Sequence, residues 1–211
     1  MARAISVTEL YNKRRNVMQF TGKWRESFGD PERIGSWIIW GNSFNGKTSC
    51  AVMLSKYLTK FGKVLYNSLE EGGSESMKTA FMNYQMHEVK HRITLLDQEP
   101  IDELIVRLEK HKSANIVVTD SVQYSDLSYP AYKELRARFP RKLFVWVSHA
   151  DGKHPEGRVA RKIRYDSFVK IWVEGYRADV LSRYGGGKPL IIYPDGAAQY
   201  WGDEILEGNG Y

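Results

Sequence analysis

One short stretch limits the fold of this chain more than any other part of its sequence. Residues 41–48 read Gly-Asn-Ser-Phe-Asn-Gly-Lys-Thr and match the pattern G-x-x-x-x-G-K-[S/T] at every fixed position. The apolar residues 36–40 precede the stretch, and a helical pattern begins at residue 47. A glycine-rich loop between a strand and a helix directs backbone N–H groups towards one point and so binds phosphate. The stretch therefore predicts a site for a nucleoside triphosphate.

We call residues 41–49 the phosphate loop. Lys47 is expected to reach the β- and γ-phosphates, and the Thr48 hydroxyl is expected to bind Mg²⁺. The residues expected to contact the nucleotide are Gly41, Asn42, Ser43, Phe44, Asn45, Gly46, Lys47, Thr48 and Ser49. The alternative is a glycine-rich turn with an incidental lysine, and the flanking strand and helix patterns argue against it.

Strand and helix patterns alternate through most of the chain. Apolar runs predict strands at residues 36–40, 63–69, 92–96, 115–120 and 142–148, and helical patterns occupy residues 47–61, 74–86, 100–112 and 129–138. These strands are apolar on both faces or nearly so, as in parallel sheets that are covered by helices on both sides. After residue 165, short strands and glycine turns follow without a helix. We therefore predict a doubly wound α/β fold with a mainly parallel sheet and a C-terminal antiparallel β extension.

Length and composition narrow the remaining choices. The 211 residues fit one domain, which we divide into an N-terminal helix (residues 7–20) and connecting arm in residues 1–33 and a core in residues 34–211. No apolar run spans a membrane, no secretory signal begins the chain, and the single Cys50 favours a reducing compartment, so we expect a cytoplasmic protein. The net charge of +6 favours an acidic partner such as nucleic acid, or equally a well-solvated basic surface.

Acidic residues end two of the predicted strands. Asp120 closes the strand at 115–120, where it is expected to hold Mg²⁺ through water. Glu70 and Glu71 follow the strand at 63–69, and one of them could polarise the attacking water, with Glu70 preferred and Glu71 in reserve. The alternatives are a strand-end cap for Asp120 and, for the glutamates, a favourable position at the start of the next helix.

The strand at 142–148 leads to a histidine and then to a basic segment. His149 could sense the γ-phosphate and pass its loss to the following loop, although a lone histidine at a strand end is often a surface or satisfied core residue. Residues 151–166 read as a flexible cationic loop that could follow the phosphates of single-stranded DNA, or as a merely solvated loop. Its expected DNA contacts are Lys153, His154, Arg158, Arg161, Lys162 and Arg164.

The order of these motifs resembles that of the RecA-like ATPases, and most closely their RadA/DnaB-type and KaiC-type branches. Residues 64–71 (VLYNSLEE) are similar to the family's second strand with its catalytic glutamate, and residues 93–124 look like the run through the metal-binding carboxylate. Residues 147–175 are similar to the sensor strand, the DNA-facing loop and the next strand. The resemblance extends over residues 34–194 and is most specific at the phosphate loop.

The resemblance implies a minimal, single-domain ATPase that uses ATP and Mg²⁺, forms homo-oligomers with nucleotide sites between subunits, and acts on DNA in recombination or replication. Residues 181–187 (LSRYGGG) resemble the RadA segment K-N-R-F-G, whose basic residues reach a neighbouring subunit's nucleotide. Leu181 and Ser182 replace the lysine and asparagine, so Arg183 alone could take that role, unless it forms an ordinary ion pair. The alternative function is a KaiC-like nucleotide-dependent switch or assembly ATPase that binds a protein partner without DNA.

Overall fold

The computed structural model describes residues 4–206, which form one sheet with helices on both faces. The strands are β1 (Gly35–Gly41), β2 (Val64–Ser68), β3 (Ile93–Asp97), β4 (Ile116–Asp120), β5 (Leu143–Asp151), β6 (His154–Pro155), β7 (Val169–Glu174), β8 (Arg177–Ser182) and β9 (Leu190–Ile191). The helices are α1 (Val7–Asn12), α2 (Lys23–Phe28), α3 (Lys47–Leu58), α4 (Glu75–Asn83), α5 (Ile101–Glu109), α6 (Tyr129–Arg138), α7 (Gly157–Asp166) and α8 (Pro194–Trp201). Short 3₁₀ turns occupy Met86–Val89, Val122–Tyr124 and Gly202–Leu206.

The sheet order is β3-β2-β4-β5-β1-β7-β8-β9, with β6 paired to β5. The strands from β3 to β7 in this order pair in parallel, whereas β7, β8 and β9 pair antiparallel. The predicted fold class, a mainly parallel α/β sheet with an antiparallel C-terminal extension, is therefore confirmed.

Apolar residues cover both faces of the central strands, which explains why these strands form the middle of the sheet. Along β1, Trp37 and Ile39 pack into one buried cluster, and Ile38 and Trp40 pack into the cluster on the opposite face. All four side chains are at most 3% exposed. Neighbouring side chains of a strand point to opposite faces, so a strand that is apolar throughout needs cover on both sides.

The N-terminal segment differs from the helix predicted over residues 7–20. Helix α1 ends at Asn12, and Val17 instead forms a β-bridge with Glu32. The extended backbone beyond α1 buries Met18 and Phe20 in the same core cluster as Trp37. The prediction of a longer helix was wrong because packing of these two side chains outweighs the helical periodicity of the segment.

The parallel strands present their carboxyl ends along one edge of the sheet. In the order β2, β4, β5, β1 and β7, adjacent strand ends lie side by side there. Ligands of open α/β sheets bind outside this edge, which is where the loops after the strands meet. Within residues 4–206, no helix has both the length and the apolar character needed to cross a membrane.

Candidate nucleotide-binding site

A cavity of about 410 Å³ lies at the carboxyl ends of the parallel strands. Its lining comes from the phosphate loop, from the ends of β2 and β4, from β5 and from the turn between β7 and β8. The lining residues are Ser43, Phe44, Gly46, Lys47, Thr48, Ser49, Glu70, Glu71, Asp120, His149 and Tyr176. The fold thus brings together, in one cavity, most of the residues that the sequence associates with phosphate, metal and water.

The backbone of the phosphate loop takes conformations that favour glycine. Gly46 precedes α3 with a φ of +92°, in the left-handed region. A Cβ atom on Gly41 would lie 2.1 Å from the carbonyl oxygen of Val173 in β7, so this position has no room for a side chain. Lys47 Nζ donates a hydrogen bond of 2.9 Å to the carbonyl oxygen of Asn42, which holds the ammonium group across the loop.

Asn45 connects the loop to the turn between β7 and β8. Its Oδ1 accepts a hydrogen bond of 2.8 Å from the backbone N–H of Gly175. Its carbonyl oxygen accepts a second bond, of 3.2 Å, from the N–H of Tyr176. The side chain of Asn45 therefore holds the loop against this turn. Of the residues expected to contact the nucleotide, Gly41, Asn42 and Asn45 are not among those that line the cavity.

Asp120 is almost fully buried at the end of β4, at 6% exposure. The hydroxyl of Tyr66 donates a hydrogen bond of 2.6 Å to its Oδ2. The pKa of Asp120 is raised to about 6, mainly by burial and also by the nearby charges of Glu70 and Glu71, while the Tyr66 hydrogen bond and the charge of Lys47 act in the opposite direction. Burial likewise lowers the pKa of Lys47, and the charges of Asp120 and Glu70 partly offset that effect.

The residues of the cavity fit a Mg²⁺ ion that is bound together with a phosphate. Within residues 4–206, no group of three or more His, Cys, Asp or Glu side chains could hold a metal ion. Mg²⁺ needs no such group, because it usually binds to one or two protein ligands, to substrate phosphates and to water. Thr48 and Asp120 line the same cavity and provide a hydroxyl and a carboxylate of this kind.

Glu70 takes part in a hydrogen-bond network that leads away from the loop. Its Oε2 lies 2.9 Å from His149 Nε2 and accepts a hydrogen bond of 3.2 Å from the Ser121 hydroxyl. On the other side of the imidazole ring, His149 Nδ1 lies 3.4 Å from Glu156 Oε2, directly before α7. Glu71 instead accepts a hydrogen bond from the Ser76 hydroxyl of α4.

Gln123 supports His149 in this arrangement. Its Oε1 accepts a hydrogen bond of 3.2 Å from the backbone N–H of His149, and its Nε2 donates bonds of 2.9 Å to the Ser148 hydroxyl and 3.0 Å to the Glu156 carbonyl oxygen. The backbone positions of His149 and Glu156 are therefore linked through one side chain.

Residues 151–166 are not the flexible loop that the sequence suggested. They form the end of β5, the short strand β6 and the helix α7. The expectation was wrong because Gly152 and Gly157, read as signs of a loop, lie at a turn and at the first residue of α7. Val159 and Ile163, spaced four residues apart, are the helical signal that was missed.

The six basic residues of this segment lie outside the phosphate cavity and differ in environment. Arg161 pairs with Asp151 at 2.6 Å, and Lys162 Nζ lies 4.5 Å from the centre of the Tyr129 ring. The Arg164 guanidinium lies 4.9 Å from the Trp40 ring, and one of its amino groups is 3.2 Å from Nδ1 of the exposed His154.

Lys153 and Arg158 are exposed. On α7, Arg158, Lys162 and Tyr165 are spaced by four and three residues and share one side of the helix.

Arg183 lies at the opposite end of the sheet from the phosphate loop. It follows β8, whose last residue pairs with the first residue of β7, and its guanidinium is 4.8 Å from the Phe168 ring. It lines a second cavity of about 630 Å³, which we call the aromatic–cation cleft. The cleft is lined by Tyr129, Tyr132, Lys133, Arg136, Ala137, Tyr165, Asp166, Phe168 and Arg183. Within one chain, Arg183 is therefore not a residue of the phosphate cavity.

Several residues around the cavity were not found from the sequence. Tyr66 lies on the same face as Asp120, two positions away in the β2–β4 register, so its role depends on a strand pairing that the sequence does not give. Tyr176 follows Gly175 in a turn between two short strands, and this turn was the available signal. Ser121, Gln123 and Glu156 reach Glu70 or His149 only after the chain has folded.

Comparison with known proteins supports the fold. No protein-family model matches the chain, and no curated protein matches it in sequence. Among solved structures, the flagellar accessory protein FlaH from Methanocaldococcus jannaschii is similar, with a TM-score of 0.61 and 14% sequence identity. The match covers 85% of this chain and 96% of the FlaH chain. This likeness concerns the fold alone, and the chain has a RecA-like α/β fold.

Proposed function

We propose that this protein binds ATP together with Mg²⁺ and hydrolyses the terminal phosphoanhydride bond in the cavity at the phosphate loop. The observation that carries the proposal is the convergence of Lys47, Thr48, Asp120 and Glu70 on one cavity from three separate segments of the chain. A cation, a hydroxyl and two carboxylates around a glycine-rich loop are the groups that phosphoryl transfer to water requires.

Each side chain has a distinct part in this proposal. The N–H groups at the start of α3 and the ammonium group of Lys47 bind the phosphates and neutralise charge as the bond to the leaving group breaks. Thr48 and Asp120 would hold Mg²⁺, which supplies further positive charge at the phosphates when bound. Glu70 orients the attacking water, and Ser121 and His149 hold its carboxylate in place.

His149 would report the loss of the γ-phosphate. It bridges Glu70 on one side and Glu156, the residue before α7, on the other. A change in the position or charge of Glu70 would alter both contacts, and Gln123 would transmit the shift to the start of α7. Hydrolysis and the position of the basic helix would then be coupled.

Glu70→Gln and Glu71→Gln form a matched pair for testing the assignment of Glu70. Glu70→Gln should bind Mg²⁺ and ATP as the wild type does but release phosphate at least about a hundredfold more slowly, because the amide cannot accept the proton. Glu71→Gln should stay within a few-fold of the wild type, because Glu71 bonds to α4. If Glu70→Gln hydrolysed ATP as fast as the wild type, the assignment of Glu70 would be wrong. If the wild-type protein bound ATP without hydrolysing it, the protein would be a degenerate ATP binder and not an ATPase.

We also propose that hydrolysis is coupled to single-stranded DNA in a cytoplasmic homo-oligomer. The net charge of +6 and the exposed Lys153 and Arg158 support a phosphate-bearing partner. The position of Arg183, far from its own phosphate loop, supports an action on the nucleotide of a neighbouring copy.

One observation favours a different partner, a protein. The similar structure is a flagellar accessory protein, and an accessory role favours a protein partner. Titrating single-stranded DNA at increasing salt separates the two functions. Binding through phosphates must weaken steeply with salt, whereas absence of binding at low salt would favour the protein-binding switch.

A further inference from the structure

The order of the strand ends indicates how a triphosphate would be oriented in the phosphate cavity. Glu70 lies beyond β2, Asp120 ends β4, the phosphate loop follows β1, and Tyr176 lies in the turn after β7. In the proposed function, on which this inference rests, Glu70 acts next to the terminal phosphate. The triphosphate then runs from the β2 side across the loop, and its nucleoside end emerges towards β7 and the turn that contains Tyr176.

The ring of Tyr176 lies at that end of the cavity and is held by packing. A Cβ atom on Gly46 would lie 3.1 Å from its Cδ1, and one on Gly196 would lie 2.6 Å from its Cδ2. These two glycines, one before α3 and one in α8, leave room for the two edges of the ring. The Tyr193 ring meets it edge to face, with centres 5.7 Å apart. Tyr176 is only half-buried, and its free surface contributes to the cavity.

The backbone of Tyr176 is strained and is held on both sides. Its φ of +58° lies in the left-handed region, which is uncommon for a bulky residue and is associated with functional positions. Its N–H donates to the carbonyl oxygen of Asn45 in the phosphate loop, and its own carbonyl oxygen accepts a bond of 2.9 Å from Ile192 N–H. These bonds fix the backbone of Tyr176 relative to the phosphate loop.

We propose that Tyr176 is the platform on which the nucleobase of the bound triphosphate stacks. A flat, fixed ring at the nucleoside end can stack on any base, and a purine offers the larger surface. Phe44 also lines the cavity, but its side chain is 97% exposed and lacks the packing that would hold it in place. Asn45 is the positioning residue, because it ties the loop to this turn.

Comparing ATP with inorganic tripolyphosphate, which has no base, tests the platform. Binding of each ligand with Mg²⁺ is measured by calorimetry for the wild type, Tyr176→Leu, Tyr176→Phe and Tyr11→Ala. Leucine keeps the apolar bulk beside Gly46 and Gly196 but has no ring, and Tyr11 is an 82% exposed residue of α1 outside the cavity. We expect Tyr176→Leu to weaken ATP binding about tenfold and to leave tripolyphosphate binding within about twofold. Tyr176→Phe and Tyr11→Ala should match the wild type.

Each other outcome has a definite meaning. Equal weakening of both ligands by Tyr176→Leu would show that the residue only shapes the loop, and unchanged ATP binding would show that the ring does not touch the base; either result overturns the platform. Wild-type protein that binds tripolyphosphate as tightly as ATP would also overturn it while the phosphate site stands. Wild-type protein that binds neither ligand would overturn the proposed function and the platform together.

Discussion

The charged side chains at the two ends of the parallel sheet have different neighbours. At the carboxyl end, Lys47 shares its cavity with the carboxylates of Glu70, Glu71 and Asp120. Near the amino ends of β1 and β7, the cations of the aromatic–cation cleft lie against rings, and the Phe168 ring is 4.8 Å from Arg183 and 6.0 Å from Arg136. Asp166 in that cleft accepts a hydrogen bond from the Tyr129 hydroxyl.

This difference determines whether each end needs a metal ion in order to bind phosphate. A cavity with more carboxylates than cations repels a triphosphate unless a metal ion accompanies it. A cleft with Lys133, Arg136 and Arg183 among its lining residues attracts phosphate without a metal ion. Burial lowers the pKa of Lys170 on β7, and the nearby charges of Arg164 and of Arg183, a residue of the cleft, lower it further. The comparison predicts metal-dependent binding at one end and metal-independent binding at the other.

Lys47→Ala should have the largest effect of any single change. Removing the cation that faces the phosphates should lower the rate of ATP hydrolysis by about a thousandfold or more. Phosphate release with Mg²⁺ measures it, and Lys60→Ala, which removes an exposed lysine beyond α3, is the matched control. Normal turnover in Lys47→Ala would mean that hydrolysis occurs elsewhere.

Asp120→Asn should stabilise the metal-free protein at high pH. Because burial raises the pKa of Asp120 to about 6, its contribution to the free energy of unfolding is highest below its ordinary pKa and is lost as the pH rises through about 6. The asparagine variant should therefore be more stable than the wild type by on the order of 2 kcal/mol at pH 8. Urea unfolding in the presence of EDTA measures the difference.

The gain from Asp120→Asn should shrink towards pH 4, where the wild-type carboxyl is protonated. An asparagine variant that is equally or less stable than the wild type at pH 8 would contradict the destabilising effect assigned to burial of the Asp120 carboxylate. Its ATP hydrolysis should be strongly reduced at either pH, because the amide is a poor ligand for Mg²⁺.

Arg183→Ala tests whether the two ends meet between copies of the chain. If Arg183 acts on a neighbour's nucleotide, the variant should hydrolyse ATP about tenfold more slowly than the wild type at protein concentrations that favour assembly. In dilute solution, the two proteins should have the same specific activity. A loss that is independent of protein concentration would assign Arg183 a role within its own chain.

Arg136→Gln should have the smallest effect, on DNA binding alone. If the aromatic–cation cleft takes part in binding single-stranded DNA, the slope of log Kobs against log salt should fall by about one. Fluorescence anisotropy in EDTA measures the slope and also tests independence from metal. Lys153→Gln, outside the cleft, allows comparison with the basic turn before β6. An unchanged slope in Arg136→Gln would exclude the cleft from the DNA contact.

Much of the phosphate cavity could be predicted from the sequence because several of its residues lie at the carboxyl ends of strands. Asp120 and Glu70 end or follow apolar runs, and the carboxyl ends of parallel strands meet at one edge of a sheet. The motif places Lys47 and Thr48 at the start of a helix without further information. Strand periodicity therefore predicts which residues share the cavity.

Residues that depend on tertiary contacts could not be found in this way. Tyr66 reads as one more apolar residue of β2, and only the register of β2 against β4 brings its hydroxyl to Asp120. Tyr176 precedes a short strand and reaches the cavity because Asn45 binds its backbone N–H. Positive charge was also misleading, since it made α7 resemble a loop despite its apolar positions.

Arg177, the residue after Tyr176, connects the turn between β7 and β8 to the segment that contains α8. Arg177 is 1% exposed, its guanidinium lies 3.6 Å from the Trp201 ring, and it donates a hydrogen bond of 2.9 Å to the carbonyl oxygen of Glu204. A binding partner or a protease that detached α8 would leave the phosphate loop in place but would remove the helix that packs against Tyr176. Under the proposed function, ATP binding would then depend on the contacts of α8, a helix that contributes no residue to the phosphate loop.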